Sequence, residues 1–105
     1  MITSGKGKYK VFLEKKEIDT DLIYILGGGE RPHIGGVVIC EPNQETRVIK
    51  FENHYDTIVL QPIAEAACKK YKQKVVAIGG VHVDNATKEE IDKLVENCKE
   101  LIKCI

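Results

Sequence analysis

The sequence lacks an excess of charge of either sign. It contains 16 lysine and arginine residues and 16 aspartate and glutamate residues, so its formal net charge is +0. Nucleic acids and anionic membrane surfaces are bound mainly through surplus positive charge. We therefore expect no nucleic-acid partner and no membrane partner.

Long apolar runs and chemical motifs are also missing. No run approaches the roughly 20 apolar residues of a membrane-spanning helix, and the start, MITSGKGKYK, lacks the apolar middle of a signal peptide. We accordingly predict a cytoplasmic location. The four cysteines form no C-x-x-C pair, and we interpret them as reduced, small apolar residues. No serine or cysteine occurs in a G-x-S-x-G setting, which disfavours acyl transfer.

What is present is the composition of one ordinary globular domain. The chain has 105 residues, of which 43% are hydrophobic and 30% charged, enough for one core but too few for a second. Residues 1–7 are small, polar and glycine-bearing, so we predict a flexible N-terminus there. Residues 8–105 are predicted to form a single domain.

Apolar patterning predicts the element order β-β-β-β-α-β-α. Strands are expected at residues 9–18, 22–26, 37–40 and, as an edge strand, 46–51. The segment Asn53 to Asp56 is typical of a helix entrance, and Pro62 requires the first helix to begin near Thr57 or Ile58. Short connections favour an antiparallel meander, which the last strand joins after the helix. We predict an α+β fold with a single, mostly antiparallel sheet and two helices on one face.

Three predicted strands are apolar on both faces, namely residues 22–26, 37–40 and 75–78. Two helices cover only one face of the sheet, so the other face would be exposed in a monomer. Large exposed apolar faces usually mark interfaces. We therefore predict a homodimer in which two sheets stack face to face.

Five glycines lie within residues 27–36, more than a normal hairpin requires. Gly28 and Gly29 allow positive φ and close approach to a ligand, while Pro32 pushes Arg31 toward extended backbone. The segment is not a nucleotide-binding fingerprint, because a strand rather than a helix follows it. The alternative is a flexible hairpin with a packed His33.

A second polar cluster follows the last predicted strand. His82 and Asp84 share one face of that strand, as neighbours rather than as an ideal hydrogen-bonded pair. Thr87 and Glu90 form a capping box that begins the final helix, where a small anion could bind. If the strand beside the glycine loop neighbours this strand, His33 and His82 could converge near Asp84 and Arg31. His33, His82 and Asp84 could supply three zinc ligands, but no motif spacing supports a metal and we expect none.

Two stretches together resemble the signatures of a known family. Residues 28–35, GGERPHIG, and residues 80–87, GVHVDNAT, are similar to the G-G-x-x-P-H-I-G and G-x-H-x-D-x-A-T motifs of the small LpdD-like proteins. The resemblance implies an accessory subunit of a hydroxyarylic acid decarboxylase of the prenylated-flavin class, acting as a prenylated-flavin chaperone. It also implies a fold similar to that of proteasome assembly chaperones, whose dimers stack their sheets between outer helices.

The resemblance also implies which positions carry function. These are Pro32, His33, Gly35, His82, Asp84 and Thr87. We add the hypothesis that the phosphate of flavin mononucleotide is held by the glycine-loop N–H groups at Gly28 and Gly29, by Arg31 and by the start of the last helix.

Two functions from different classes remain open on the sequence. The first is a non-catalytic module that transiently binds prenylated flavin mononucleotide, and either delivers it to a prenylated-flavin-dependent decarboxylase or assembles with that enzyme. A flavin prenyltransferase would be a further partner. The second is a small enzyme in which a His82/Asp84 acid–base pair acts on a phosphorylated or carboxylated substrate.

Overall fold

The computed structural model describes residues 1–52 and 54–105, so Asn53 of the predicted helix entrance lies outside the described residues. Within this part of the chain, six strands form one sheet and two α-helices pack on it. The strands are β1 (Ile2–Ser4), β2 (Val11–Ile18), β3 (Asp21–Gly29), β4 (Gly36–Cys40), β5 (Arg47–Lys50) and β6 (Val75–His82). The helices are α1 (Thr57–Tyr71) and α2 (Lys88–Ile102).

The sheet has the strand order β1-β2-β3-β6-β4-β5. Strand β6 pairs parallel with β3 and antiparallel with β4, and the other neighbouring strands are antiparallel. The predicted α+β class, with a mostly antiparallel sheet, is therefore confirmed. The predicted four-strand meander is wrong, because β6 lies between β3 and β4. The three strands that are apolar on both faces thus occupy the centre, away from the solvent-exposed edges.

One face of the sheet carries the core together with both helices. Alternate residues of the central strands are buried on this face, as in the series Leu22, Tyr24 and Leu26 of β3. The apolar stripe of α1 packs against β4 and β6, and α2 covers β1 and β2. Both helices therefore lie on the same face, as predicted.

The opposite face of the sheet is also apolar, but only half-buried. Its side chains alternate with the core residues along β2, β3, β4 and β6. They are Phe12, Ile23, Ile25, Val37, Ile39, Val76 and Ile78, which we call the open face.

Across the described residues, no helix has the length and apolarity needed to cross a membrane.

The first residues carry more structure than the sequence led us to expect. Strand β1 pairs with β2 inside the segment for which no element was predicted. A single 3-10 turn, Gly7–Tyr9, then replaces the predicted start of the next strand. The Tyr9 hydroxyl donates to Glu90 at 2.8 Å, and Lys8 forms an ion pair with the same carboxylate at 2.9 Å. These contacts fasten the N-terminal segment to the first turn of α2.

Both helix starts agree with the sequence. Helix α1 begins at Thr57, which places Pro62 in its second turn. Helix α2 follows a complete capping box, in which Thr87 accepts from the Glu90 N–H at 3.2 Å and Glu90 accepts from the Thr87 N–H at 3.0 Å. Bonds from the Thr87 N–H, Lys8 and Tyr9 lower the pKa of Glu90 to about 2.

Candidate functional site

The glycine loop is joined to the end of β6 by backbone hydrogen bonds. The carbonyl oxygen of His82 accepts from the Glu30 N–H at 2.7 Å and from the Arg31 N–H at 3.3 Å. Gly29 has φ +73° and lies so close to His82 that a Cβ atom would overlap the His82 carbonyl. Only glycine allows both this backbone conformation and this approach. The glycine loop therefore packs directly against the end of β6.

Side chains reinforce this join at Asp84. Strand β6 ends at His82, so Asp84 lies in a turn and its carboxylate reaches back to the strand. Asp84 Oδ1 lies 2.8 Å from His82 Nε2 and accepts from Arg31 Nη2 at 2.7 Å. The His82 hydrogen bond and the Arg31 charge lower the pKa of the Asp84 carboxyl. The expectation that His82 and Asp84 would be mere neighbours is wrong, because that expectation required a strand extending through Asp84.

The three histidines of the chain lie together. The ring of His33 is 4.9 Å from that of His54 and 6.0 Å from that of His82, measured between centroids. His54 precedes α1, and its Nδ1 lies 2.7 Å from the carbonyl oxygen of Glu52. One imidazole of this histidine cluster comes from each of three segments, namely loop residues 30–35, the entrance to α1 and the end of β6.

A buried carboxylate lies beneath this histidine cluster. Asp56 is 9% exposed and immediately precedes α1. Its Oδ1 accepts from the Val81 N–H at 2.9 Å, and its Oδ2 lies 3.4 Å from His33 Nε2. Asp56 therefore links the start of α1, the end of β6 and the glycine loop.

Two adjoining recesses open at the histidines. The first, of about 380 Å³, extends between α1, α2 and the end of β6. Its walls are mainly apolar and include Ile58, Val59, Val83, Ile91, Leu94 and Val95. Cys98 also lines it, and burial, with a further contribution from the Asp56 charge, raises the pKa of that thiol to about 12, so it stays protonated.

The second recess, of about 330 Å³, is lined by Arg31, Pro32 and all three histidines. The two recesses thus share their histidine border, with apolar walls on one side and cationic or titratable groups on the other. Such a site suits a ligand that is flat and apolar at one end and anionic at the other.

The remaining predicted site residues have structural partners. The Gly29 N–H donates to the Lys10 carbonyl at 3.0 Å, and the Gly35 N–H donates to the Gly79 carbonyl at 2.9 Å. Gly28 lies in strand register between Val11 and Val81. Thr87 uses its hydroxyl oxygen and N–H in the capping box. The N–H groups of Gly29, Glu30, Arg31 and Gly35 therefore donate within the chain rather than into the recess.

The three side chains considered as zinc ligands, His33, His82 and Asp84, contact other groups of the chain. Among residues 1–52 and 54–105, no group of three or more histidine, cysteine, aspartate or glutamate side chains is arranged to hold a metal ion. His82 and Asp84 are hydrogen-bonded to each other, and His33 is directed toward Asp56. His33, His82 and Asp84 each have a side-chain partner within the chain.

Asp56 and His54 were not among the site residues predicted from the sequence. Both fall in the segment interpreted as a helix entrance, where an aspartate is ordinarily explained by capping. The signal that could have located them is the density of polar side chains just before an apolar helix. That signal becomes specific only when the neighbouring end of β6 is known.

Comparison with known proteins bears on this arrangement. A model of the prenylated flavin chaperone LpdD-like domain matches residues 5–105. The chain is also similar to Protein LpdD of Lactiplantibacillus plantarum, with 24% identity over 94 residues that cover 85% of this chain and 69% of the relative. The family match spans both motif stretches and nearly the whole sheet. This chain belongs to the prenylated flavin chaperone LpdD-like domain family.

Proposed function

We propose that this protein is a non-catalytic, cytoplasmic module that binds prenylated flavin mononucleotide and delivers it to a prenylated-flavin-dependent decarboxylase. The observation that carries the proposal is the pair of recesses, one apolar and one lined by arginine and histidine, in a chain of the prenylated flavin chaperone LpdD-like family. A flavin prenyltransferase is the corresponding donor in this proposal.

The chemistry of the recess suits such a cofactor. A prenylated flavin has a broad fused ring system with apolar faces at one end and a phosphate at the other. The apolar recess of about 380 Å³ falls within the size range of small-molecule sites. Its walls from α1 and α2 would hold the rings by contact and exclude water from them.

The phosphate is assigned to the second recess. Arg31 is the permanent cation there, and His33, His54 and His82 surround the same space. The N–H groups of Gly29, Glu30, Arg31 and Gly35 donate to backbone carbonyls, and the first turn of α2 carries Glu89 and Glu90. We therefore favour Arg31 and the histidines over those backbone donors, which modifies the phosphate hypothesis drawn from the sequence.

The proposal includes a homodimer formed through the open face. The seven apolar side chains of that face are contiguous across four strands, and burying them in a second copy would remove them from water. Stacking there leaves the apolar recess accessible, because that recess lies between α1, α2 and the end of β6, on the helix side of the sheet. The decarboxylase can then approach the mouth of the recess.

A titration tests the binding. Reduced flavin mononucleotide added under anaerobic conditions is expected to give a saturable change in the absorption spectrum. His33→Ala and His82→Ala are expected to weaken the binding, and Arg47→Ala serves as a control at the other end of the sheet. Arg47 is an exposed arginine paired with Glu41 at 2.6 Å, much as Arg31 is paired with Asp84. Absence of saturable binding to wild-type protein would refute the proposal.

Co-expression tests the delivery. A decarboxylase produced together with this protein is expected to contain more active holoenzyme than the decarboxylase alone, and the histidine variants are expected to reduce that gain. The protein alone is expected to show no turnover. An unchanged yield of active holoenzyme would contradict delivery while leaving binding intact.

The second candidate function is favoured by one contact. His82 Nε2 lies 2.8 Å from Asp84 Oδ1, the spacing of an oriented acid–base pair. In this alternative the pair moves a proton on a phosphorylated or carboxylated substrate. Turnover by the isolated protein that is lost in Asp84→Asn would favour the enzyme over the binding module.

A further inference from the structure

We infer that Asp56 is the positioning residue that holds His33 toward the recess. The inference rests on the proposed function, since it takes His33 to face the bound ligand. Asp56 lies outside both glycine motifs and at the start of α1. Its side chain nevertheless links the glycine loop to β6, because it contacts both His33 and the Val81 N–H.

The helix does not use this carboxylate for capping. An aspartate at a helix N-terminus normally accepts a hydrogen bond from the first turn. Within the described residues, the Asp56 side chain accepts no such bond from α1 and is directed across the molecule to β6 and the loop. The Asp56 carboxylate thus contacts groups of the candidate site and does not cap its own helix.

Two motif glycines are explained by this carboxylate. Gly35 ends the first motif and Gly80 begins the second, and neither has the positive φ that would require glycine. A Cβ atom on Gly80 would lie 2.8 Å from Asp56 Cγ, and one on Gly35 would overlap Asp56 Oδ2. Both positions therefore lack a side chain because Asp56 occupies the space.

Two contacts determine how the His33 ring is oriented. His33 Nδ1 lies 3.3 Å from the carbonyl oxygen of Arg31, and its Nε2 lies 3.4 Å from Asp56 Oδ2. Asp56 and the Arg31 carbonyl therefore contact different nitrogens of the ring, and together they set its orientation. The ring held in this way lies beside Arg31, His54 and His82, in the recess assigned to the phosphate.

The test is a double-substitution cycle on Asp56 and His33. Asp56→Asn keeps an oxygen for the Val81 N–H but places an amide against His33. With reduced flavin mononucleotide as the probe, we expect Asp56→Asn to raise Kd about ten-fold in the wild-type background. In the His33→Ala background the same substitution should leave Kd unchanged.

Asp84→Asn is the matched control. It makes the same carboxylate-to-amide change beside His82 and Arg31, so its effect on Kd should persist in the His33→Ala background. Equal losses for Asp56→Asn with and without His33 would overturn the inference, because they would mean that Asp56 acts on the structure as a whole.

A ligand-free measurement separates this inference from the proposed function. Nitrogen-15 NMR of the imidazoles should show that Asp56→Asn shifts the His33 ring signals and that Asp84→Asn shifts those of His82. If wild-type protein binds no flavin, the proposed function fails, and unchanged His33 signals in Asp56→Asn would overturn the present inference independently. If Asp56→Asn does not fold, Gly35→Ala replaces it, since the added Cβ displaces the carboxylate. His33 signals unchanged in Gly35→Ala would likewise overturn it.

Discussion

A lysine at the centre of the open face should dissociate the proposed homodimer. Ile78 of β6 is in register with Ile25 of β3 on one side and with Val37 of β4 on the other. All three are half-buried in the single chain. Ile78→Lys therefore places one charge in the middle of the surface that a second copy would cover.

The size of the effect follows from burial. Fully burying an isoleucine contributes about 1.5–3 kcal/mol, and Ile78 has only part of its surface left to bury, so about 0.5–1 kcal/mol per copy is lost with it. A two-fold interface contains the change twice. Desolvation of two lysines adds to the loss, although their long stems can carry the ammonium groups to the rim. A total of about 3 kcal/mol corresponds to a roughly 100-fold rise in the dimer dissociation constant.

Sedimentation velocity over a range of protein concentrations measures this constant. Ile58→Lys is the control, because Ile58 lies on the helix side and is already 66% exposed. It should leave the dissociation constant unchanged. Wild-type protein that sediments as a monomer at micromolar concentration, or a folded Ile78→Lys protein that remains dimeric, would refute stacking through the open face.

Three further predictions concern the capping box and the arginine. The folded-state pKa of Glu90, about 2, lies below its ordinary value of 4.5, so the stability it contributes is present above pH 4.5 and is lost as pH falls toward 2. In chemical denaturation, the difference between wild type and Glu90→Gln should shrink over that range, and a pH-independent difference would contradict this. Thr87→Ala should cost about 1 kcal/mol of unfolding free energy, and no measurable loss would exclude a stabilising cap. Arg31→Ala should weaken flavin mononucleotide binding about ten-fold but not riboflavin binding, whereas Arg47→Ala should change neither; equal losses for both ligands would rule out a phosphate contact.

Among the described residues, local patterns were sufficient to predict both helices and every strand except β1. The capping box at Thr87 and Glu90 marks the start of α2, and the position of Pro62 limits the start of α1. Both signals depend on residues within one or two turns of each other. Apolar character on both faces is found in the three strands that lie at the centre of the sheet.

The strand order and the His82–Asp84 hydrogen bond could not be predicted from local sequence patterns. Placing β6 between β3 and β4 requires pairing between segments about 50 residues apart, and no local spacing specifies that. Short connections suggested a meander instead. The His82–Asp84 bond was missed for a related reason, because it depends on the residue at which β6 ends.

The sequence predicted the residues of the candidate site that lie in the two motifs, but not Asp56 and His54. Glycine density marked the first motif, a His82/Asp84 pair before a capping box marked the second, and the family resemblance implied which of their residues carry function. Asp56 has two possible roles, a helix cap or a partner for another segment, and only the position of β6 decides between them. His54 belongs to the same helix entrance and is brought to His33 by the same packing.

The topology that the sequence did not predict is what assembles the site. Because β6 is inserted parallel to β3, Gly29 and His82 are register partners at the same end of the sheet. The chain leaving β3 must then pass over the end of β6 to reach β4, and the Gly35 N–H donates to Gly79 on the way. In a meander, β3 and β4 would form a plain hairpin and the loop would have no strand end beneath it. Insertion of β6 therefore brings His33 to His82. It also makes the loop depend on glycine, since the His82 backbone leaves no room for a side chain at Gly29, and Asp56, which is bonded to β6, leaves none at Gly35.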